Sequence, residues 1–202
     1  GAIRTESTTA AALTAMTASD TYTIARLSCL LDPIAAKADV EGMGLKNTGG
    51  YIFYDGNNLN WLDPSKPATR QYLCGLAKEL AETGFDEILL TDVSYPTEGK
   101  LDKIAYGETG KVQNLNTFLD EMRAALAEYD VKLSIELPAA AVSEGSDSQA
   151  GLTLADIAPR VDRIYAVTTE DQISALSQAV SAASAETEFV PELAAAPAAF
   201  TG

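Results

Sequence analysis

From Tyr22 onward, short runs of β-branched and large apolar residues alternate with longer stretches whose apolar positions recur at helical spacing. This alternation constrains the fold more than any other feature. A strand, a helix and a second strand make one βαβ unit, and repeated units build a parallel sheet with helices packed against it. Strands are read at 22–31, 87–93, 131–137, 163–167 and 189–193, and helices at 33–38, 67–83, 115–126, 152–158 and 171–185. Local signals support the boundaries. Asp32-Pro33 is a side-chain cap followed by Pro at the first helical position, Gly84 is a helix stop, and Thr169 with Gln172 reads as a capping box. Asp55-Gly56 reads as a hairpin turn between 51–54 and 59–61, inside a long Gly-, Asn- and aromatic-rich excursion over 42–64.

The expected fold class is α/β, a partial or complete (β/α)8 TIM-barrel-like parallel barrel. Five strands fall short of the eight of a closed barrel, so the first strands are expected to lie outside the sequence. Residues 1–20, rich in Ala, Thr and Ser, read as a linker or frayed helix, and 21–202 as one barrel-like domain.

Charge and composition exclude several classes of function. Acidic residues number 29 against 14 basic ones, a net charge of −15, so the averaged field repels nucleic acid and anionic headgroups. The chain has no histidine, which removes the commonest general base and every Ser-His or Cys-His nucleophile. Any acid-base chemistry falls to carboxylates. Cys29 and Cys74 have neither zinc-site nor redox spacing and read as buried small hydrophobes, and no nucleotide or metal motif occurs. No cofactor and no metal are expected. No apolar run is long enough to span a membrane.

In parallel α/β sheets the ligand site lies at the carboxyl ends of the strands. Asp32, Asp92, Glu136, Glu170 and Glu192 fall at or just past such ends. Asp32 is explained as a helix cap and Glu170 as an acidic residue in a helix's first turn. Asp92 and Glu136 have no such role and stand on sequentially adjacent strands; they are either a glycosidase's carboxyl pair, which needs the two groups roughly 5–9.5 Å apart, or surface carboxylates that close their strands. Arg26 alternates with Ile24 and Ser28; if that face is the barrel interior its guanidinium is buried with Glu136 as its expected partner, and otherwise it reaches solvent from near the strand end. Trp61 and Tyr95, with Tyr51 and Tyr54, lie in rim loops, placed either to stack on sugar rings or to cover the edge of the core. The candidate site is therefore Glu136 and Asp92 as catalytic groups, with Arg26, Trp61, Tyr95 and Glu192 binding substrate.

Several blocks carry a family resemblance: Ile24-Ala25-Arg26-Leu27 with Leu31-Asp32-Pro33, Trp61-Leu62-Asp63-Pro64, the segment from Ala77 to Ile88, and the segment from Ile157 to Asp162. In order and spacing the chain from Tyr22 to Val167 resembles a family of bacterial glycoside hydrolase-like TIM barrels. The resemblance implies a (β/α)8 fold, a carbohydrate ligand and a retained acidic position at Glu136. It places the family's second acid on Thr91 and its arginine on Ser94, so that Asp92 serves only if the strand end is offset by one residue. Two functions follow as expectations, a glycosidase acting on a polysaccharide or a carbohydrate-binding, cell-surface scaffold that has lost catalysis. The expected setting is extracytoplasmic or at a bacterial cell surface, with the export signal outside the sequence; the oligomeric state is left open.

Overall fold

The computed structural model describes residues 7–193. Helix α1 (Ser7–Thr17) leads into β1 (Ile24–Ser28), α2 (Pro33–Ala38), α3 (Pro67–Thr83), β2 (Glu87–Thr91), α4 (Lys111–Leu126), β3 (Lys132–Glu136) and α5 (Ala139–Glu144). The short strands β4 (Ser146–Asp147) and β5 (Leu152–Thr153), α6 (Leu154–Ile157), β6 (Arg163–Thr168), α7 (Ile173–Ala183) and β7 (Glu188–Leu193) complete the order. The main sheet runs β1-β2-β3-β6-β7 with every neighbour parallel, while β4 and β5 form a separate antiparallel ladder. This is the expected α/β architecture, a partial barrel.

In-register parallel pairing places Ala25, Ile88 and Leu133 in one row on one face, with Leu90, Ile135 and Ile164 one pleat further along and Ala166 beyond them. All are buried and form the core with Leu73 and Ala77 of α3 and Leu115, Phe118, Leu119 and Met122 of α4. The opposite face carries Arg26, Ser28, Glu87, Thr91, Ser134, Glu136, Arg163, Tyr165, Glu188 and Glu192. One face is apolar and helix-covered; the other is mainly polar, with Leu89 buried at its middle.

Two contacts show that the polar face is concave. Arg26 on β1 donates at 2.8 Å to Glu192 on β7, and Arg163 on β6 donates at 3.0 Å to the Tyr22 hydroxyl just before β1. Across a flat sheet, β1 and β7 would stand about 19 Å apart, four strand spacings, beyond the reach of an Arg-Glu pair. The sheet therefore curls around its polar face as a barrel wall does.

The capping roles divide. Asp32 caps α2 as expected, its Oδ1 accepting from the Ile34 and Ala35 amides. Gly84 ends α3 in the left-handed region at φ 95°, which a glycine adopts without a Cβ clash. The Thr169 capping box does not form: its hydroxyl turns to the Asp171 carboxylate and the Gln172 side chain, a 3-10 turn (Glu170–Gln172) intervenes, and α7 starts at Ile173. Nor do 51–54 and 59–61 form a two-residue hairpin. The turn spans 55–58 with Asn58 at φ 63°, and the excursion is tied instead by the bridges Lys46 to Ile52 and Gly44 to Leu62. Cys29 is buried as expected, but Cys74 is only partly so. Among the described residues no helix is long and apolar enough to cross a membrane.

Candidate functional site at the carboxyl ends of the strands

The concave face is organised in rows. At the amino ends of the strands, Glu87 is 0% exposed and accepts hydrogen bonds from the Ser134, Tyr22 and Tyr165 hydroxyls and from Arg163. Arg163 also donates to Glu188 at 2.8 Å. Burial by itself would raise the Glu87 carboxyl's pKa, but the donors outweigh it and hold the pKa below the ordinary range. Burial and the same carboxylate push the Tyr165 phenol up to about 12. This row forms the floor. Sequence reasoning missed it, although two charged residues opening otherwise apolar strands were a signal that something paired them.

One pleat higher, Arg26 reaches Glu136 on β3 and Glu192 on β7 at once. Glu136 is thus the partner expected for Arg26. The guanidinium is not dry, since its side chain is 50% exposed and that of Glu136 28%.

At the carboxyl ends, β2 stops at Thr91 and Asp92 follows with φ 54°, in the left-handed region that Asp visits more readily than most residues. Strand alternation would send Asp92 toward the helices with Leu90. The left-handed turn brings its carboxylate back instead, and Oδ2 accepts from the Ser28 hydroxyl at 2.7 Å and the Thr91 hydroxyl at 3.2 Å, two concave-face residues. Asp92 and Glu136 line a single cavity of about 220 Å³, walled by Ser94, Pro138, Leu152 and Val167.

The other candidates separate. Asp32 holds a helix end and accepts a hydrogen bond from the Tyr72 hydroxyl. Glu170 sits exposed in the turn before α7. Trp61 is partly buried, its indole N–H donating to Asp55 at 2.9 Å. Tyr95 corrects the expectation of a stacking platform: it is 1% exposed, packs edge-on against Tyr106, and its hydroxyl accepts from Asn114. It faces inward because its backbone is held by Ala150 in the β4–β5 segment, a contact with no local sequence signal. Among the described residues no group of three or more Cys, Asp or Glu is arranged to hold a metal ion.

Comparison with known proteins agrees with this architecture. A hypothetical protein from Ruminiclostridium thermocellum is 30% identical over 62% of this chain and 64% of that one, with a TM-score of 0.54. The glycoside hydrolase domain of PelA from Pseudomonas aeruginosa is 15% identical over 90% of this chain and 71% of that one, TM-score 0.53. An exo-β-N-acetylglucosaminidase from Vibrio harveyi, solved with N-acetylglucosamine, is 13% identical over 85% of this chain and 25% of that one, TM-score 0.52. The last two likenesses are of fold alone, and the chain spans less than two thirds of the Ruminiclostridium protein. No curated protein matches the chain. The family model described as "Putative glycosyl hydrolase domain" matches residues 2–168, most of the chain and all of the concave wall from β1 to β6, so the chain belongs to that family.

Proposed function

We propose that the chain is a carbohydrate-active domain that takes a polysaccharide segment at the carboxyl ends of its strands and acts on it through Asp92 and Glu136. The observation that carries this reading is that both carboxylates, from adjacent strands, line one cavity on the concave face of a glycosyl hydrolase-family sheet. A glycosidic bond is cleaved between two carboxyl groups, one protonating the leaving oxygen and the other acting as nucleophile or base. Arg26, which bridges Glu136 and Glu192, fixes where the Glu136 carboxyl stands on the concave face. The Ser28 and Thr91 hydroxyls orient Asp92 through its Oδ2, and which of the two carboxyls is the acid is left to the variants below. Arg26, Glu192 and the partly exposed Trp61 are proposed to meet sugar hydroxyls and ring faces. The test is turnover of a polysaccharide and peptidoglycan panel by wild type, Glu136→Gln and Asp92→Asn. Loss of turnover by about 100-fold or more in each variant is expected, and equal rates in all three would remove the assignment.

One observation favours a second reading, a binding domain without turnover. Arg26 engages Glu136 directly, and Thr91 and Ser94 stand where the resembling family carries an acid and an arginine. Saturable glycan binding with no products, weakened by Trp61→Ala, would select it.

A further inference from the structure

The excursion after β1 and the loop after β2 enclose a second cavity, of about 600 Å³, apart from the one between Asp92 and Glu136. The two loops are locked together. Thr48 N donates to Lys103 O at 2.7 Å, Ala105 N donates to Lys46 O at 2.9 Å, and Asn47 bridges to Ile104. Gly99, at φ 104°, lies so close to the Asp55-Gly56 backbone that an added Cβ would sit 2.9 Å from Gly56 N. The wall is therefore preformed.

The polar lining of this cavity offers donors and hardly an acceptor. Asp55 faces it, but its Oδ1 already accepts from the Asn57 and Leu59 amides and its Oδ2 from the Trp61 indole. The Asn47 carbonyl oxygen accepts from the Gly49 and Tyr51 amides, which leaves its NH2 as the free end. Lys100 has no ion pair among the described residues, and Lys103 pairs at 2.9 Å with Asp102, an exposed pair that water screens. Tyr54, 47% exposed, supplies an aromatic face at the edge, and Lys37 stands 5.9 Å from its ring centre. Glu98, near the rim, accepts from the Asn57 side chain.

We propose that this cavity is a subsite for an anionic sugar residue, specifically a uronate of an acidic polysaccharide. The sugar ring lies against Tyr54, and its carboxylate accepts from Lys100, Lys103 and the Asn47 amide. Donors lining the cavity beside an aromatic face, the Asn47 amide and the Lys100 and Lys103 ammonium groups, the last shared with Asp102, select a ring-bearing, acceptor-rich ligand, and a charged acceptor gains most from an ammonium group. The net charge of −15 repels such a polymer at a distance, but at physiological ionic strength that repulsion is screened beyond about 8 Å, while the lysines act at contact. Both cavities are built from segments that follow strand carboxyl ends, so one chain can lie along the rim and present a neighbouring linkage to Asp92 and Glu136. The inference rests on the carbohydrate reading above and narrows its ligand.

The test is calorimetric titration of the intact chain with an oligogalacturonate, with its carboxyl-reduced neutral counterpart, and with a sulfated glucan oligomer. The uronate is expected to bind at least about tenfold tighter than the neutral oligomer, and Lys100→Gln with Lys103→Gln to abolish that difference. Lys78→Gln with Lys132→Gln, which removes the same charge elsewhere, is expected to leave it unchanged. Thermal unfolding of each variant confirms that it is folded. Equal binding of uronate and neutral oligomers, no binding of uronate, preference for the sulfated oligomer alone, or indifference to the Lys100 and Lys103 changes each overturns the proposal. Neutral glycan binding or turnover without uronate preference sinks this subsite and leaves the carbohydrate reading standing; no binding or turnover of any glycan sinks both.

Discussion

Asp92 and Glu87 are both carboxylates of the polar face, and their surroundings give them opposite consequences. Glu87 is fully buried against Arg163, whose other partner Glu188 is largely exposed, so Glu87→Gln removes the buried counter-charge and is expected to cost on the order of 3 kcal/mol in chemical denaturation. Glu136→Gln removes one of two partners from an Arg26 that is half exposed, and the expected loss is within about 1 kcal/mol because water screens the pair. A large loss for Glu136→Gln without any loss of turnover would mark it as architecture. At Asp92 the backbone is the discriminator. Asp92→Asn keeps a residue that tolerates the left-handed region and is expected to be near neutral for stability, whereas Asp92→Val should cost about 1–2 kcal/mol from the φ of 54° alone. Equal unfolding midpoints for the two variants would mean that the turn after β2 relaxes freely.

At the scale of elements, helix α2 is six residues long and has little of its own to hold it. Asp32 supplies two amide acceptor bonds at its start and accepts the Tyr72 hydroxyl from α3, so one carboxylate fixes the helix and ties it to a neighbour. Asp32→Ala is expected to lower stability by about 1 kcal/mol, within the usual range for a lost cap, while leaving glycan turnover or binding in place. If function falls and the unfolding midpoint does not, Asp32 belongs to the site and its reading as a cap is incomplete. The same excursion shows what a local signal misses. Asp55-Gly56 is a hairpin dipeptide, yet the Asp55 carboxylate closes a wider turn onto Asn57, Leu59 and Trp61, and the flanking segments pair with 44–46 instead of with each other.

For the whole molecule, the dependence of stability on pH should have two parts. Between neutral pH and about 5, partial neutralisation of a chain with net charge −15 relieves self-repulsion and raises stability. At lower pH the folded-state carboxyls take over. Glu87 is held below its usual pKa by its hydrogen-bond donors despite burial, and Asp86 by the Thr23 amide and hydroxyl. A carboxyl with a depressed folded pKa contributes stability that is complete above its unfolded value and is lost as pH falls through the folded one. Urea midpoints should therefore rise slightly from pH 7 to 5 and fall below about 4.5, with a shallower fall in Glu87→Gln. A midpoint that drops steadily from pH 7 would show that charge repulsion does not limit this fold.

What the sequence determined by itself is the periodicity: five strands, the long helices 67–83 and 115–126, the second of which starts four residues earlier in the structure, the Asp32 cap and the Gly84 stop, because each follows from steric and hydrogen-bonding preferences within a few residues. The strand-end rule likewise brought Asp92, Glu136 and Glu192 to one end of the sheet, since parallel strands share their direction. Tertiary structure alone decided the curl of the sheet, on which the contact of Arg26 with both Glu136 and Glu192 depends, across 110 and 166 residues of sequence. It also buried Tyr95, turned Asp92 onto the concave face and assembled the Glu87 floor from four strands. Those outcomes depend on which distant groups share the low-dielectric space, and spacing along the chain carries no term for that.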